Sequence, residues 1–355
     1  MGKQYFCVIL KVNKMKKYVF LLGITLALWN CKSNVAATTK TKTNTFKIAF
    51  GSCNKQEVEN LLWDDILAEH PDLWIWGGDN IYADTSNMDS LRSMYALQNN
   101  IAGYHKLKSK TPIIGTWDDH DYGKNDGGVE FAAKKESQQE FLNFMQVSEN
   151  SPRREREGVY ASHVYTLNEK QTKVLVLDTR YFRTALTPDT ETKKRNKPNT
   201  YGEGTVLGVR QWEWLATELK NSKADFNILV SSIQFLSNEH GFEGWGNFPH
   251  EVDRLKALLV STKVKGAIFL SGDRHISEFS RTEIQGLPYP LVDFTSSGLT
   301  HAYSGFKEES NPFRVGEVVH EVSFGLLELD VHKKKVQYKM LGNNGKVLGV
   351  LEQSY

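Results

Sequence analysis

Cysteine is scarce in this chain, which has only 3 cysteines among its 355 residues. Cys7 and Cys31 lie in the N-terminal segment, so a folded domain beginning near residue 46 retains Cys53 alone. A single thiol cannot form an intrachain disulfide, which excludes the small disulfide-stapled secreted domains. Cys53 is therefore either a buried inert thiol or a side chain that another group holds.

An excess of charge of one sign is also missing. The 44 lysines and arginines nearly balance 42 acidic residues, and the net charge is +2. Charge therefore gives no reason to expect a nucleic-acid-binding patch or a basic membrane-binding face. With 40% hydrophobic and 24% charged residues, the composition is that of an ordinary globular protein with a sizeable core.

Long hydrophobic runs are absent apart from a short one near the N-terminus. Residues 19–29 are mostly apolar and follow Lys16 and Lys17, a pattern typical of a secretory signal and too short for a usual membrane span. We expect translation to start at Met15. Because the run ends at Cys31, as in a bacterial lipoprotein signal, we expect lipidation there, with plain secretion or an uncleaved anchor as alternatives.

These features divide the chain into three expected parts. Residues 1–31 form the signal segment, and residues 32–45, rich in Thr, Lys, Asn and Ala, form a flexible tether. Residues 46–355 form one domain, since no Pro/Gly/Ser-rich linker and no repeat divides them. The domain is accordingly expected to be exported, either anchored to a membrane through its lipid or released as a secreted or periplasmic protein.

Apolar strands, polar tips and amphipathic helices alternate from residue 46 onwards. This alternation predicts a layered α/β fold. The chain ends in a strand-rich region, and residues 183–206 are a long polar loop. Strands are expected at 46–53, 72–82, 110–121, 163–167, 173–180, 226–235, 266–275, 289–297, 322–331, 334–341 and 346–353, and helices at 58–70, 130–145, 210–221 and 250–262.

Chemically capable side chains follow these strands at their ends. Cys53 ends the first strand, Asp79 and Tyr82 follow the second, and Asp273 and His275 follow a later one. Ligands of open α/β sheets lie beyond the carboxyl ends of the strands, so these tips would converge if the strands are parallel and adjacent. Taken singly, a strand-end Asp has a plainer interpretation, because it often caps a helix or closes a turn.

The third tip is the most acidic. The stretch GTWDDHDYGKNDGG, residues 115–128, holds four aspartates, and His120 lies among them. A solvated acidic loop is one interpretation, but Trp117 places the cluster at the edge of apolar structure. Grouped carboxylates repel one another unless a cation lies between them, and a histidine among acids is typical of metal sites.

The elements GSC, GDNIY, WDDHD and GDRH occur in this order, each after an apolar strand, and LDTRYF and FTSSGLTHAY add to the pattern. Together they resemble the alkaline phosphatase D family within the metallophosphoesterase fold, over residues 46 to about 345. The resemblance implies a layered α/β/β/α sandwich with one catalytic domain. It implies a short form of the family, without the N-terminal β domain of its long members.

The same resemblance implies an iron ion (Fe³⁺) and calcium (Ca²⁺) in one site. Cys53, Tyr82 and His275 would bind the iron, with the tyrosine also resembling that of purple acid phosphatases. Asp79 would bridge the metals, and carboxylates favour calcium in the second position. The implied metal ligands are Cys53, Asp79, Tyr82, Asp118, Asp119, Asp273 and His275.

The remaining expected roles concern the substrate. His120 is the expected general acid. Asn125 contacts phosphate or metal, and these two possibilities stay open. Arg180 and Arg274 are expected to meet phosphate charge, although Arg180 has the alternative of a structural pair with Asp178.

These expectations make the chain an exported phosphoesterase that hydrolyses phosphate monoesters or diesters with a metal-activated hydroxide. A phospholipase D-like enzyme acting on phospholipid head groups is the alternative within the class. Two alternatives lie outside it. One is a hydrolase with Cys53 as the nucleophile, and the other is a non-catalytic, calcium-stabilised surface lipoprotein.

Overall fold

The computed structural model describes residues 44–355. The expected signal segment (residues 1–31), the expected start at Met15, the lipid site at Cys31 and residues 32–43 of the tether all lie outside the described residues. Among the residues described, no helix has the length and apolar character needed to cross a membrane.

Strands and helices alternate through most of the described chain. The strands are β1 (Thr45–Gly51), β2 (Leu73–Gly77), β3 (Ile113–Thr116), β4 (Ala161–Leu167), β5 (Lys170–Val176), β6 (Thr187–Pro188), β7 (Asn196–Lys197), β8 (Phe226–Val230), β9 (Ala267–Ser271), β10 (Ser277–Thr282), β11 (Leu291–Ser296), β12 (Arg314–Val319), β13 (Ser323–Asp330), β14 (Lys335–Gly342) and β15 (Val347–Ser354). The α-helices are α1 (Trp63–Ala68), α2 (Met88–Asn100), α3 (Ala102–Lys108), α4 (Asp119–Tyr122), α5 (Lys134–Phe144), α6 (Gly208–Lys220) and α7 (Pro249–Thr262).

Within residues 44–355 the strands build two large mixed sheets. The first has the order β15-β14-β13-β1-β2-β3, with β1, β2 and β3 parallel and the C-terminal hairpins added antiparallel. The second has the order β12-β10-β11-β9-β8-β5-β4, with a parallel centre of β11, β9, β8 and β5. All five residues of β2, β8 and β9 are buried, as expected of central strands covered on both faces.

In the described part of the chain, three apolar clusters fill the spaces between four layers. One lies between the two sheets, where Phe50 packs edge-on against Phe294 with ring centroids 4.9 Å apart. A second lies between the first sheet and helices α1 to α5 and contains Trp76 and Phe141. The third lies between the second sheet and helices α6 and α7 and contains Trp212. The predicted α/β/β/α sandwich is therefore confirmed.

The amphipathic pattern of α6 shows how the sequence directs this layering. Its buried residues Trp212, Leu215 and Leu219 recur at helical spacing and face the second sheet, whereas Arg210 and Glu213 are exposed. Where sequence patterns were weaker, the expectations were wrong. The helix expected at 58–70 is limited to α1, and helices α2 and α3 and strands β10 and β12 had not been expected.

Candidate metal centre and phosphate pocket

Side chains from the strand ends of both sheets meet at one point. The Cys53 Sγ atom, after β1, lies 3.4 Å from the Asp79 Oδ2 atom, after β2. The same sulfur lies 3.6 Å from the backbone oxygen of Asp273, which follows β9 in the other sheet. The Tyr82 hydroxyl lies 3.4 Å from Asp79 Oδ2 and 2.9 Å from His275 Nε2. The predicted convergence of these tips therefore occurs, and it bridges the two sheets.

The backbone at these tips adopts a conformation that most residues avoid. Cys53, Asp79, Asp273 and His275 have φ angles of 57°, 48°, 68° and 54°. The left-handed region is uncommon for residues with a Cβ, and strained backbone conformations cluster at functional sites. The surrounding fold holds these four residues in conformations that turn their side chains toward one point.

The glycine that precedes Asp79 is required for steric reasons. Gly78 has a φ of 101°, and a Cβ built on it would lie 2.6 Å from the Asp118 Cβ and 3.0 Å from the Ser232 Cβ. Only glycine lets the second strand tip approach the third this closely. The second glycine of GGDNIY is thus explained by the close approach between the two tips.

The carboxylates of this centre are buried and lack some partners. Asp79, Asp118 and Asp119 are at most 3% exposed, and Asp273 is half-buried. Burial and the neighbouring acids raise the pKa values of Asp79 and Asp273 well above the usual range. Asp118 Oδ2 and Asp119 Oδ1 have no hydrogen-bond partner among the described residues.

This donor set fits metal ions. Buried carboxylate oxygens without partners are unfavourable unless a cation or proton satisfies them, and sulfur, imidazole and carboxylate are common metal-binding groups. Among the described residues, three groups have ligand atoms within 4.8 Å of one another: Cys53, Asp79 and His275; Asp79, Asp119 and His120; and Asp118, Asp119 and Asp273.

The environments of Cys53 and His275 suit metal binding better than nucleophilic chemistry. Burial raises the pKa of the Cys53 thiol to about 12. The charge of Asp273 raises this pKa further, whereas the hydrogen bond with Ser297 lowers it in part. A thiol with this pKa is a poor nucleophile without a cation, which argues against the cysteine-hydrolase alternative. Burial lowers the pKa of His275 to about 4, with His301 adding to the effect, so its ring is neutral and able to bind a metal.

His120 lies at the mouth of the centre and is held by an acid. Its Nδ1 lies 2.7 Å from Asp84 Oδ2, and its ring stacks on Tyr82 with centroids 4.1 Å apart. Burial lowers the pKa of His120, but the hydrogen bond with Asp84 and the charge of Asp119 outweigh it, so the net shift is upward. The Asp84 contact leaves Nε2 as the ring nitrogen free to meet a substrate.

Arg180 has a different environment from the one expected. Its guanidinium is fully buried, pairs with Asp118, and places NH1 2.5 Å from Glu243 Oε2. Asp178 instead accepts the backbone N–H of Arg180 at 2.9 Å, so the alternative ion pair with Asp178 does not form. Arg180 does not line the cavity described next, and its partners are those of a residue that positions Asp118.

A cavity of about 320 Å³ opens in front of the carboxylates. Asn125 and Arg274 line it, as does Arg195, which had not been singled out in the sequence. The Arg195 Nη2 atom lies 2.6 Å from Asp126 Oδ2, and the Arg274 Nη2 atom lies 2.8 Å from Glu309 Oε2. The cavity thus places cationic and amide groups opposite buried acids, an arrangement that suits a phosphoryl group between metals and arginines.

Sequence reasoning missed several residues that support the centre. Ser297 Oγ lies 3.0 Å from Cys53 Sγ and accepts the backbone N–H of His275 at 2.7 Å. Asp84 and Glu243 support His120 and Arg180 through long-range contacts. Ser297 lies within FTSSGLTHAY, and Asp84 lies just after GDNIY. Both motifs were recognised in the sequence, but these two residues were not singled out within them.

A four-layer sandwich with acids, a thiol and imidazoles gathered at its strand ends defines the metallophosphoesterase-like class. The model of the PhoD-like phosphatase family matches residues 48–340. The chain therefore belongs to the PhoD-like phosphatase family, as the motif pattern indicated.

Individual relatives agree with this placement. Alkaline phosphatase D of Bacillus subtilis (strain 168) is 23% identical, with 81% of this chain and 57% of the relative covered. The chain thus spans little more than half the length of that curated relative. The solved structure of PhoD is 18% identical. The match covers 88% of this chain and 69% of the PhoD chain, with a TM-score of 0.69. A dimetal phosphatase from Danio rerio is 13% identical. Its match covers 87% of this chain and 99% of the phosphatase, with a TM-score of 0.55. These two structures support the fold.

Proposed function

We propose that this chain is an exported, metal-dependent phosphoesterase that hydrolyses phosphate monoesters or diesters. The observation that carries the proposal is the set of buried, partly unpartnered carboxylates facing a cavity lined by Arg195, Arg274 and Asn125. Membership of the PhoD-like phosphatase family supports the same reaction class.

The residues divide naturally between two metals. Cys53, Tyr82 and His275 supply sulfur, phenol and imidazole, a set suited to iron, while Asp79 lies between them and the remaining acids. The carboxylates of Asp119 and Asp273, with Asp118 behind them, form an oxygen-rich set suited to calcium. Such ions, when bound, supply Lewis-acid stabilisation of phosphoryl charge and make water more acidic.

The chain's own side chains would then hold the substrate. Arg274 and Arg195 are positioned to meet phosphoryl oxygens, and Asn125 can donate to the same group. Their present acidic partners, Glu309 and Asp126, would hold the guanidinium groups in place rather than neutralise them fully, since each guanidinium has five donors.

His120 would protonate the leaving alcohol from Nε2. Its hydrogen bond with Asp84 fixes the ring orientation and favours the protonated form. Protonation matters most for alkyl leaving groups, whose alkoxides are strongly basic.

Export rests on the N-terminal sequence alone. A lipid at Cys31, followed by the tether, would hold the domain close to a membrane surface, where small phosphate esters or phospholipid head groups could reach it.

Hydrolysis of two test compounds examines the activity directly. The full chain, supplied with iron and calcium, should release nitrophenol from 4-nitrophenyl phosphate, from bis(4-nitrophenyl) phosphate, or from both. Asp79→Asn should abolish the activity, whereas Asp64→Asn, which alters an exposed acid on α1, should leave it unchanged. Turnover of neither compound by the metal-supplied chain would contradict the proposal.

A further inference from the structure

A second cavity lies directly beside the catalytic one. It has a volume of about 170 Å³, and Phe242 lines both. Two chain segments, residues 194–197 and 240–244, form the boundary, and the backbone N–H of Asn196 joins them by donating to the Gly241 oxygen at 2.8 Å. Arg195 points to the catalytic cavity, while its neighbours Lys194 and Asn196 line the second.

His240 is a buried side chain in the lining of this second cavity. Its ring is only 9% exposed, and its Nδ1 accepts the backbone N–H of Phe242 at 3.0 Å. Burial and the nearby charge of Arg274 lower the pKa of His240 to about 3, so the ring is neutral. A neutral ring that accepts at Nδ1 carries its proton on Nε2, which makes no well-aligned hydrogen bond among the described residues, although the backbone of Ser237 lies close enough to compete for it.

Asn196 and Lys194 add two further donors. Asn196 is 6% exposed, and its Nδ2 is also without a partner in the described part of the chain. Lys194 makes no ion pair within residues 44–355. The acid lining this cavity, Asp189, already accepts from the backbone N–H groups of Glu191 and Thr192.

The second cavity therefore presents the nitrogen donors of His240, Asn196 and Lys194 beside one carboxylate, which already accepts from two backbone N–H groups. Buried donors without partners are unfavourable, and a ligand rich in acceptor oxygens would satisfy them. A phosphoryl group has three terminal oxygens and negative charge, which matches an imidazole N–H, an amide NH₂ and an ammonium group.

We propose that this cavity is a subsite for a second phosphoryl group carried by the same substrate molecule. The proposal rests on the proposed function for the identity of the neighbouring site. It assigns the chain a preference for small molecules that carry two phosphoryl groups, one for each cavity. Phe242, which lines both cavities, would lie beside the linker that joins them.

Binding of non-hydrolysable phosphonates tests the subsite without relying on turnover. The probes are alkane-α,ω-bisphosphonates with linkers of two to four carbons and the alkylphosphonates of the same length, measured by calorimetry on the metal-supplied full chain. At least one bisphosphonate should bind about tenfold or more tightly than its monophosphonate. Equal affinities for every pair would overturn the proposal.

Variants then locate the second group. Asn196→Ala removes a donor without changing charge and should remove most of the bisphosphonate advantage, as should Lys194→Ala. Lys220→Ala removes the same charge from the far end of α6 and should keep the advantage. A full advantage in Asn196→Ala, or equal losses in the two lysine variants, would contradict the subsite.

The two proposals fail in different ways. A bisphosphonate advantage in a chain that hydrolyses neither nitrophenyl ester would keep the subsite and reject the phosphoesterase function. Hydrolysis of those esters without any bisphosphonate advantage would keep the function and reject the subsite.

Discussion

The sulfur of Cys53 lies 3.4 Å from Oδ2 of Asp79, and both residues have positive φ angles at the ends of neighbouring strands. Burial raises the pKa of this thiol, so without a cation it is neutral and donates to the carboxylate; a metal ion bound here would replace that proton and take both groups as ligands. This contact makes the thiol a metal ligand in our account.

Cys53→Ser should therefore reduce both iron content and phosphatase activity, the latter by at least about tenfold. The reason is that a hydroxyl is a weaker ligand than a thiolate for iron. Iron per chain is measured by elemental analysis and activity with 4-nitrophenyl phosphate. Cys31→Ser, the same change outside the domain, should alter neither. Loss of activity with full iron retention would favour the nucleophile alternative.

Arg180→Gln should destabilise the fold by roughly 3–5 kcal/mol, because it leaves Asp118 and Glu243 buried without their cation. The free energy of unfolding is measured with denaturant. Arg210→Gln breaks an exposed pair with Glu157 and should change it by less than about 1 kcal/mol. Similar losses in both variants would argue against a structural role specific to Arg180.

His120→Gln should lower kcat more for an alkyl phosphate than for 4-nitrophenyl phosphate. The nitrophenolate leaves without a proton, whereas an alkoxide needs one, and general acids contribute roughly 10²–10⁴-fold. Asp84→Asn should shift kcat in the same direction by less, because it weakens the orientation of the ring and the preference for its protonated form but leaves the imidazole in place. His250→Gln, on α7, is the matched control. Equal losses for both substrates would remove His120 from the acid role.

Gly78→Ala should destabilise the protein and reduce activity, because its Cβ would approach the Asp118 Cβ to 2.6 Å at a φ of 101°. Gly202→Ala separates the strain of the positive φ angle from the steric clash, since Gly202 has a φ of 92° but a Cβ built on it would meet open space. It should lose only about 1 kcal/mol of stability and keep full activity. Thermal unfolding and kcat are measured for both. Matching losses would show that the close approach is unimportant.

The sequence predicted the location of the candidate site residues better than it predicted every helix and strand of the fold. Cys53, Asp79 and Asp273 follow strands whose apolar runs are easy to recognise, so their place at the sheet ends could be expected. Their convergence across two sheets depends on long-range strand pairing, which local patterns do not carry.

Long-range partners explain the remaining misses. Arg180 was expected to meet phosphate or to pair with Asp178, because nothing local indicates that Asp118, 62 residues away in the sequence, would bind its guanidinium. Glu243 and Arg195 lie in loops without strong patterns, and their roles follow only from tertiary contacts. Helix α2 has a polar face broad enough to hide its periodicity, since only Leu91, Tyr95 and Gln98 are buried.

Metal content of the purified full chain tests the central claim most directly. Our account predicts iron and calcium bound to the wild-type chain, loss of both metals in Asp79→Asn, and full retention in Asp64→Asn. A wild-type chain that hydrolyses phosphate esters with neither metal bound, or an Asp79→Asn chain that keeps both, would contradict it.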